Sequence, residues 1–100
     1  MREMIVVRVK RTYADLLPRF LLNRQRDIEQ MRGALSGQDF STIRATAHRL
    51  KGAGAGYGFD QISVWVAEIE ALCEQRDVPA IALRLDRMQQ YLMDAKIELV

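Results

Sequence analysis

Ala47-His48-Arg49-Leu50-Lys51-Gly52-Ala53-Gly54-Ala55-Gly56-Tyr57-Gly58 holds the only histidine of this 100-residue chain, two cations beside it, and four of the six glycines. Two folds compete for this stretch. Between a strand and a helix, glycines beside a lysine would cradle a phosphate in an α/β domain. Here Phe40, Ile43, Ala47 and Leu50 run into it at helical spacing, and Ile62, Trp65/Val66, Ile69 and Leu72/Cys73 leave it at the same spacing. The stretch is therefore the end of one helix, to about Ala53, and a turn over Gly54–Gly58 into the next. The fold it implies is all-α.

Outward from there the same period recurs. Upstream, Leu17, Leu21, Ile28, Met31 and Leu35 mark a helix beginning near Tyr13, with Pro18 either kinking it or opening a second helix after a short first turn. Gly37 stops it, and Asp39 or Ser41 caps its successor. Asp60 is the expected N-cap of the third helix, and Asp77 followed by Pro79 starts a fourth with the stripe Ile81, Leu85, Met88, Leu92, Ala95 and Leu99. Four amphipathic helices with short connections pack most simply as an antiparallel up-down-up-down bundle over residues 13–100. Residues 1–12 differ: Ile5, Val6, Val7 and Val9 alternate with basic residues and read as an extended stretch. With no second strand to pair with, the expectation is an arm, or an extra helical turn, lying on the bundle.

Composition excludes several classes. One domain fits the length, and the apolar and charged fractions of 49% and 28% are those of a globular chain. The net charge of +2 hides ten Lys/Arg against five Asp/Glu in residues 1–50 and five against eight in residues 51–100. The cations are scattered rather than clustered on one element, which argues against nucleic acid as the partner. No segment reaches the roughly 18–20 apolar residues of a membrane span, and Met4–Val7 is too short for a signal peptide. Cys73 is the only cysteine and lies on an apolar stripe, so neither a disulfide nor a zinc site is expected, and the setting points to the cytoplasm. One histidine also rules out the paired Glu-x-x-His pattern of di-iron bundles.

His48 carries the chemistry. A lone helical histidine is ordinarily a surface or half-buried polar residue. At about 100° per residue, however, it lies about 160° from Leu50, off the core stripe. The positions three and four away, Arg44 and Ala45 before it, Lys51 and Gly52 after it, with Ala55 further along the same face, leave the ring standing clear. Glycine in a helix costs roughly 1 kcal/mol relative to alanine, and at Gly52 that cost makes sense where something large must reach the ring. A neutral imidazole is a nucleophile near its ordinary pKa of about 6.5, and Arg44, Arg49 and Lys51 would stabilise an anion attached to it.

His48-x-Leu50-Lys51-Gly52, with Gly58 ten residues after the histidine, resembles the signature of histidine-containing phosphotransfer (HPt) domains, four-helix bundles of about this length. The resemblance is strongest over Ala45–Leu72 and extends more loosely to Leu16-Leu17-Pro18-Arg19-Phe20-Leu21. It implies that His48 accepts a phosphoryl group from a receiver-domain aspartate and passes it to another receiver. Lys51 then matches the lysine beside the phosphoryl group, Gly52 the glycine that leaves room, and Gly58 the turn before the next helix. Arg44, Arg49 and Ala55 would lie in the docking rim. Ala53, Gly54 and Gly56 depart from the polar residues frequent at those positions. The resemblance also implies a monomer that holds no cofactor and has no kinase activity of its own. Mg²⁺ would be supplied by the partner receiver, which belongs to a response regulator or a hybrid sensor kinase. Two rival readings are a bundle of the same fold that binds without relaying, and a nucleic-acid binder using Arg19, Arg24, Arg26 and Arg32.

Overall fold

The computed structural model describes residues 5–52 and 57–100. Its elements run β1 (Val6–Val9), a 3-10 segment (Arg11–Leu16), α1 (Leu17–Ser36), α2 (Phe40–Leu50), α3 (Asp60–Gln75), α4 (Val78–Asp94) and β2 (Lys96–Leu99). Each helix begins where local chemistry allows. Pro18 sits in the first turn of α1, where its missing N–H is no loss, so the proline opens a new helix after the 3-10 segment rather than kinking one. Asp39 caps α2 by accepting from the Thr42 amide at 3.1 Å, and Asp77 caps α4 by accepting from the Ala80 amide at 3.2 Å. Asp60 is the first residue of α3 and Phe59 its N-cap, one position from expectation. The left-handed residue after α1 is Gln38 (φ 52°) rather than Gly37.

The helices touch in the cyclic order α1–α2–α3–α4 and back to α1, the arrangement of an up-down four-helix bundle. The predicted stripes form its core: Ile28, Met31, Ile43, Ala47, Leu50, Ile62, Val66, Ile69, Ile81, Leu85 and Met88 are all buried. Tyr13, Tyr57, Phe20, Phe59 and Tyr91 pack ring against ring in that order, with centroid separations from 4.6 Å (Phe20–Tyr57) to 6.1 Å (Phe59–Tyr91). This cluster pins the Tyr57-Gly58-Phe59 turn that leads into α3.

The chain ends depart from the sequence reading. The extended N-terminal arm is present, but it has the partner strand that the sequence reading lacked: β1 pairs in parallel with β2, in the register Val6↔Lys96 to Val9↔Leu99. The helical stripe ending at Ala95 and Leu99 stops early, because α4 closes at Asp94 and Ala95 turns extended (ψ 130°). Parallel strands need a long crossover, and here the whole bundle is that crossover. Val7 and Val9 are buried, so the small sheet closes one side of the core. Gly58 adopts φ +88°, and a Cβ there would collide with the Arg8 carbonyl oxygen of β1. The turn and the strand thus pass at a distance that only glycine permits.

Candidate functional site

α2 ends in Leu50-Lys51-Gly52, with the Lys51 amide donating to the His48 carbonyl at 3.3 Å. Its helical part is therefore shorter than the sequence implied, and His48 lies in its last turn. Ala47 and Leu50 point inward at 0% exposure, so the imidazole projects outward, with its side chain 73% exposed. Gly52 follows in a turn, and a Cβ built on it meets nothing within 4 Å among the described residues. Neither packing nor a positive φ demands glycine at that position. Ala55, Ala53, Gly54 and Gly56 lie outside the described residues.

The neighbour that sequence reasoning missed is Glu70 on α3. Its Oε1 lies 3.5 Å from His48 Nδ1 and its Oε2 lies 3.2 Å from Lys51 Nζ. Oε2 is enclosed from solvent and accepts no well-aligned hydrogen bond among the described residues, so the Lys51 contact is an ion pair by distance. The Lys51 ammonium holds the Glu70 carboxyl below the usual carboxylate range; partial burial works against it, and His48 adds a smaller lowering. A shallow depression of about 230 Å³ lined by Lys51, Ala67, Glu70, Ala71 and Glu74 lies at the Lys51–Glu70 pair.

Arg44 and Arg49 do not share the ring's surroundings in the way their spacing implied. Arg44 reaches across to Glu74 at 3.4 Å, an exposed pair of small energetic weight. Arg49 turns to the opposite side, where Nη2 donates to Asp27 Oδ1 of α1 at 2.9 Å. Asp27 is also held by Arg24 Nε at 3.0 Å, and Arg24 lies over the Phe20 ring at 5.0 Å. Arg49 therefore ties α2 to α1 instead of standing beside the imidazole. The ring accordingly faces a carboxylate and one lysine, not a purely cationic shell. A sequence signal for Glu70 did exist. Arg44, His48 and Lys51 recur at i, i+4 and i+7 on α2, and Ala67, Glu70, Ala71 and Glu74 form a small-and-acidic stripe on α3. Antiparallel packing sets one against the other.

The four α1 arginines of the nucleic-acid reading do not form one open row: Arg24 is buried, and Arg32 pairs with Asp86 at 2.9 Å. Among the described residues, no group of His, Cys, Asp and Glu could hold a metal ion, and no helix is long and apolar enough to cross a membrane. Cys73 is buried, and that burial pushes its thiol pKa up, away from reactivity.

Comparison with known proteins adds one finding. Residues 15–97 match the family model described as Hpt domain. No curated protein and no solved structure matches the chain. The Hpt family performs histidine phosphotransfer in phosphorelays, as carriers rather than kinases and through contact with receiver domains. A four-helix bundle presenting one outward histidine, matched over that span, makes this chain a member of the Hpt domain family.

Proposed function

We propose that this chain is a phosphorelay intermediate in which His48 Nε2 takes a phosphoryl group from the aspartyl phosphate of one receiver domain and yields it to the aspartate of another. The observation that carries this reading is the exposed His48 ring set with Nδ1 toward the Glu70 carboxylate. A carboxylate on that side favours the proton on Nδ1 and leaves the lone pair on Nε2, the outward nitrogen. In the transfer, Nε2 forms the N–P bond while the aspartyl P–O bond breaks and its electron pair leaves with the receiver's carboxylate. The imidazole keeps its Nδ1 proton and gains positive charge, which the Glu70 carboxylate stabilises. Lys51 Nζ stands on the same carboxylate, within reach of swinging toward the phosphoryl oxygens. The Mg²⁺ that offsets phosphoryl charge belongs to the receiver.

The direct test is incubation with a phosphorylated receiver and Mg²⁺. Acid-labile, base-stable label should appear on this chain and leave again when a second, unphosphorylated receiver is added. A chain that binds the receivers but takes no label would be the non-relaying bundle instead. Incubation with ATP alone should give no label.

Glu70→Gln removes the charge while keeping the size. Transfer should slow roughly ten- to a hundredfold, the range over which groups that orient a histidine act at metal sites. Because the Glu70 pKa is lowered, its carboxylate contribution is complete above the ordinary carboxylate range and is lost only as pH falls through that lowered value. The variant should therefore remain slower than wild type throughout about pH 6 to 8. Equal rates within that range would contradict the role given to Glu70.

Gly52→Gln tests clearance. Since the site around Gly52 is open, circular dichroism and unfolding should match wild type within about 0.5 kcal/mol. Transfer should nonetheless drop at least about tenfold, equivalent to about 1.4 kcal/mol of barrier. Unchanged transfer would mean that nothing large needs that space.

A further inference from the structure

β2 is an open edge. Lys96 N donates to Ile5 O at 2.8 Å, Val100 N to Val9 O at 2.9 Å, and Arg11 N to Val100 O at 3.0 Å. Residues 96 and 100 thus face β1, and by the alternation of a strand so does Glu98, while Ile97 and Leu99 turn their N–H and C=O groups away from it. Among the described residues no backbone bond occupies those groups. The far edge of β1 is closed where the Gly58 turn lies against Arg8. The β2 edge is not closed: Leu99 is 38% and Val100 56% exposed. An uncovered edge of this kind templates pairing with another strand.

The sequence of the edge identifies the strand that fits it. In an antiparallel pairing of two β2 strands about a two-fold axis, residues with outward backbone groups must meet each other. Registers that meet this requirement and also keep Ile97 paired within the extended stretch 95–99 are those centred on residue 96, 97 or 98. Centring on Lys96 sets lysine against lysine, and centring on Glu98 sets glutamate against glutamate, both unfavourable for directly opposed residues. Centring on Ile97 makes Ile97 a hydrogen-bonded pair with itself and sets each Lys96 directly against the other copy's Glu98. Those flanking positions are the non-hydrogen-bonded ones, where side chains approach most closely. Arg8 already lies 3.9 Å from Glu98 within the chain, so the outer face of the joined sheet would read Arg8, Glu98, Lys96 across the junction, alternating in sign.

We propose that the chain self-associates through β2, two copies joining in the Ile97-centred register to form a four-stranded sheet ordered β1-β2-β2-β1. This interface is independent of the phosphotransfer reading and revises the monomer implied by sequence. β1 lies outside the span that matches the family model, which ends at Ile97 within β2. The segment is four residues long, which makes the dimer weak and concentration-dependent.

Sedimentation equilibrium of the full chain up to several hundred micromolar tests it. The wild type should show a monomer–dimer equilibrium. Lys96→Glu and Glu98→Lys should each weaken it at least tenfold, because each variant sets like charges opposite one another. An equimolar mixture of the two should associate again, since one chain then carries acidic side chains at both positions and the other basic side chains at both. A wild type that stays monomeric throughout overturns the proposal. So do single variants that self-associate like wild type, which would place the contact elsewhere, for instance on the α1–α4 groove near Leu22 and Met93. A mixture no stronger than its components overturns it as well.

Discussion

A His48→Gln chain should accept no acid-labile phosphoryl group from a phosphorylated receiver while unfolding at the same denaturant concentration as wild type. The two halves of this expectation come from different links in the argument. Glutamine has no nucleophilic nitrogen, so the loss of transfer is complete, not graded. Stability is spared because the ring is 73% exposed and its polar contact is the 3.5 Å approach to Glu70, which keeps Lys51 at 3.2 Å when the ring is gone. Surface changes of this kind shift stability within about 0.5 kcal/mol. Label transfer followed by acid treatment, with urea unfolding of the same preparation, reads both. Equal labelling of variant and wild type would mean that the phosphoryl group goes elsewhere.

The second large effect falls on Gly58, where Gly58→Ala should lower stability markedly. The residue sits at φ +88°, a conformation that costs a side-chain-bearing residue about 1–3 kcal/mol. The added Cβ would also strike the Arg8 backbone oxygen, and backbone cannot move aside as a flexible side chain can. Relief is blocked on either side, since Tyr57 and Phe59 are both locked into the aromatic stack. The urea midpoint should fall, by more than backbone strain alone would predict. Gly52→Ala is the internal control: its site is open and its φ is not positive, so it should be neutral or stabilise by about 0.4–1 kcal/mol. Equal behaviour of the two variants would show that Gly58 is not the point where β1 and the turn lock together.

These two glycines illustrate what local sequence could show. The turn at Gly58 was legible from its place between two helical patterns, but its close approach to β1 was not. That contact joins residues fifty apart in the chain. The same limit hid the sheet. Lys96-Ile97-Glu98-Leu99 carries no glycine or proline before it, and Leu99 falls where the α4 stripe would continue. Only pairing with Val6–Val9, across the whole bundle, turns those residues extended, and tertiary pairing overrides local periodicity there. The four helices were legible because each is strongly periodic, and α1, α2 and α4 are opened by their own proline or capping aspartate.

At the site, the outward face of His48 followed from helix geometry, because Ala47 and Leu50 fix the rotation of α2 from within one turn. What surrounds the ring depends on a second helix. Reading Arg44, Arg49 and Lys51 as a common cationic shell ignored the acidic stripe of α3, which takes Arg44 and Lys51, and the buried Asp27, which takes Arg49. Glu70 changes the proposed mechanism accordingly: in that proposal it orients the imidazole and meets its developing charge, while Lys51 is held nearby on the same carboxylate.

The most direct measurement is the nitrogen to which phosphorus bonds. The ¹⁵N-labelled chain, phosphorylated by a receiver, should show phosphorus–nitrogen coupling at Nε2 of His48, with the proton still on Nδ1. Phosphorus on Nδ1, or on any residue other than His48, would contradict the account of this site.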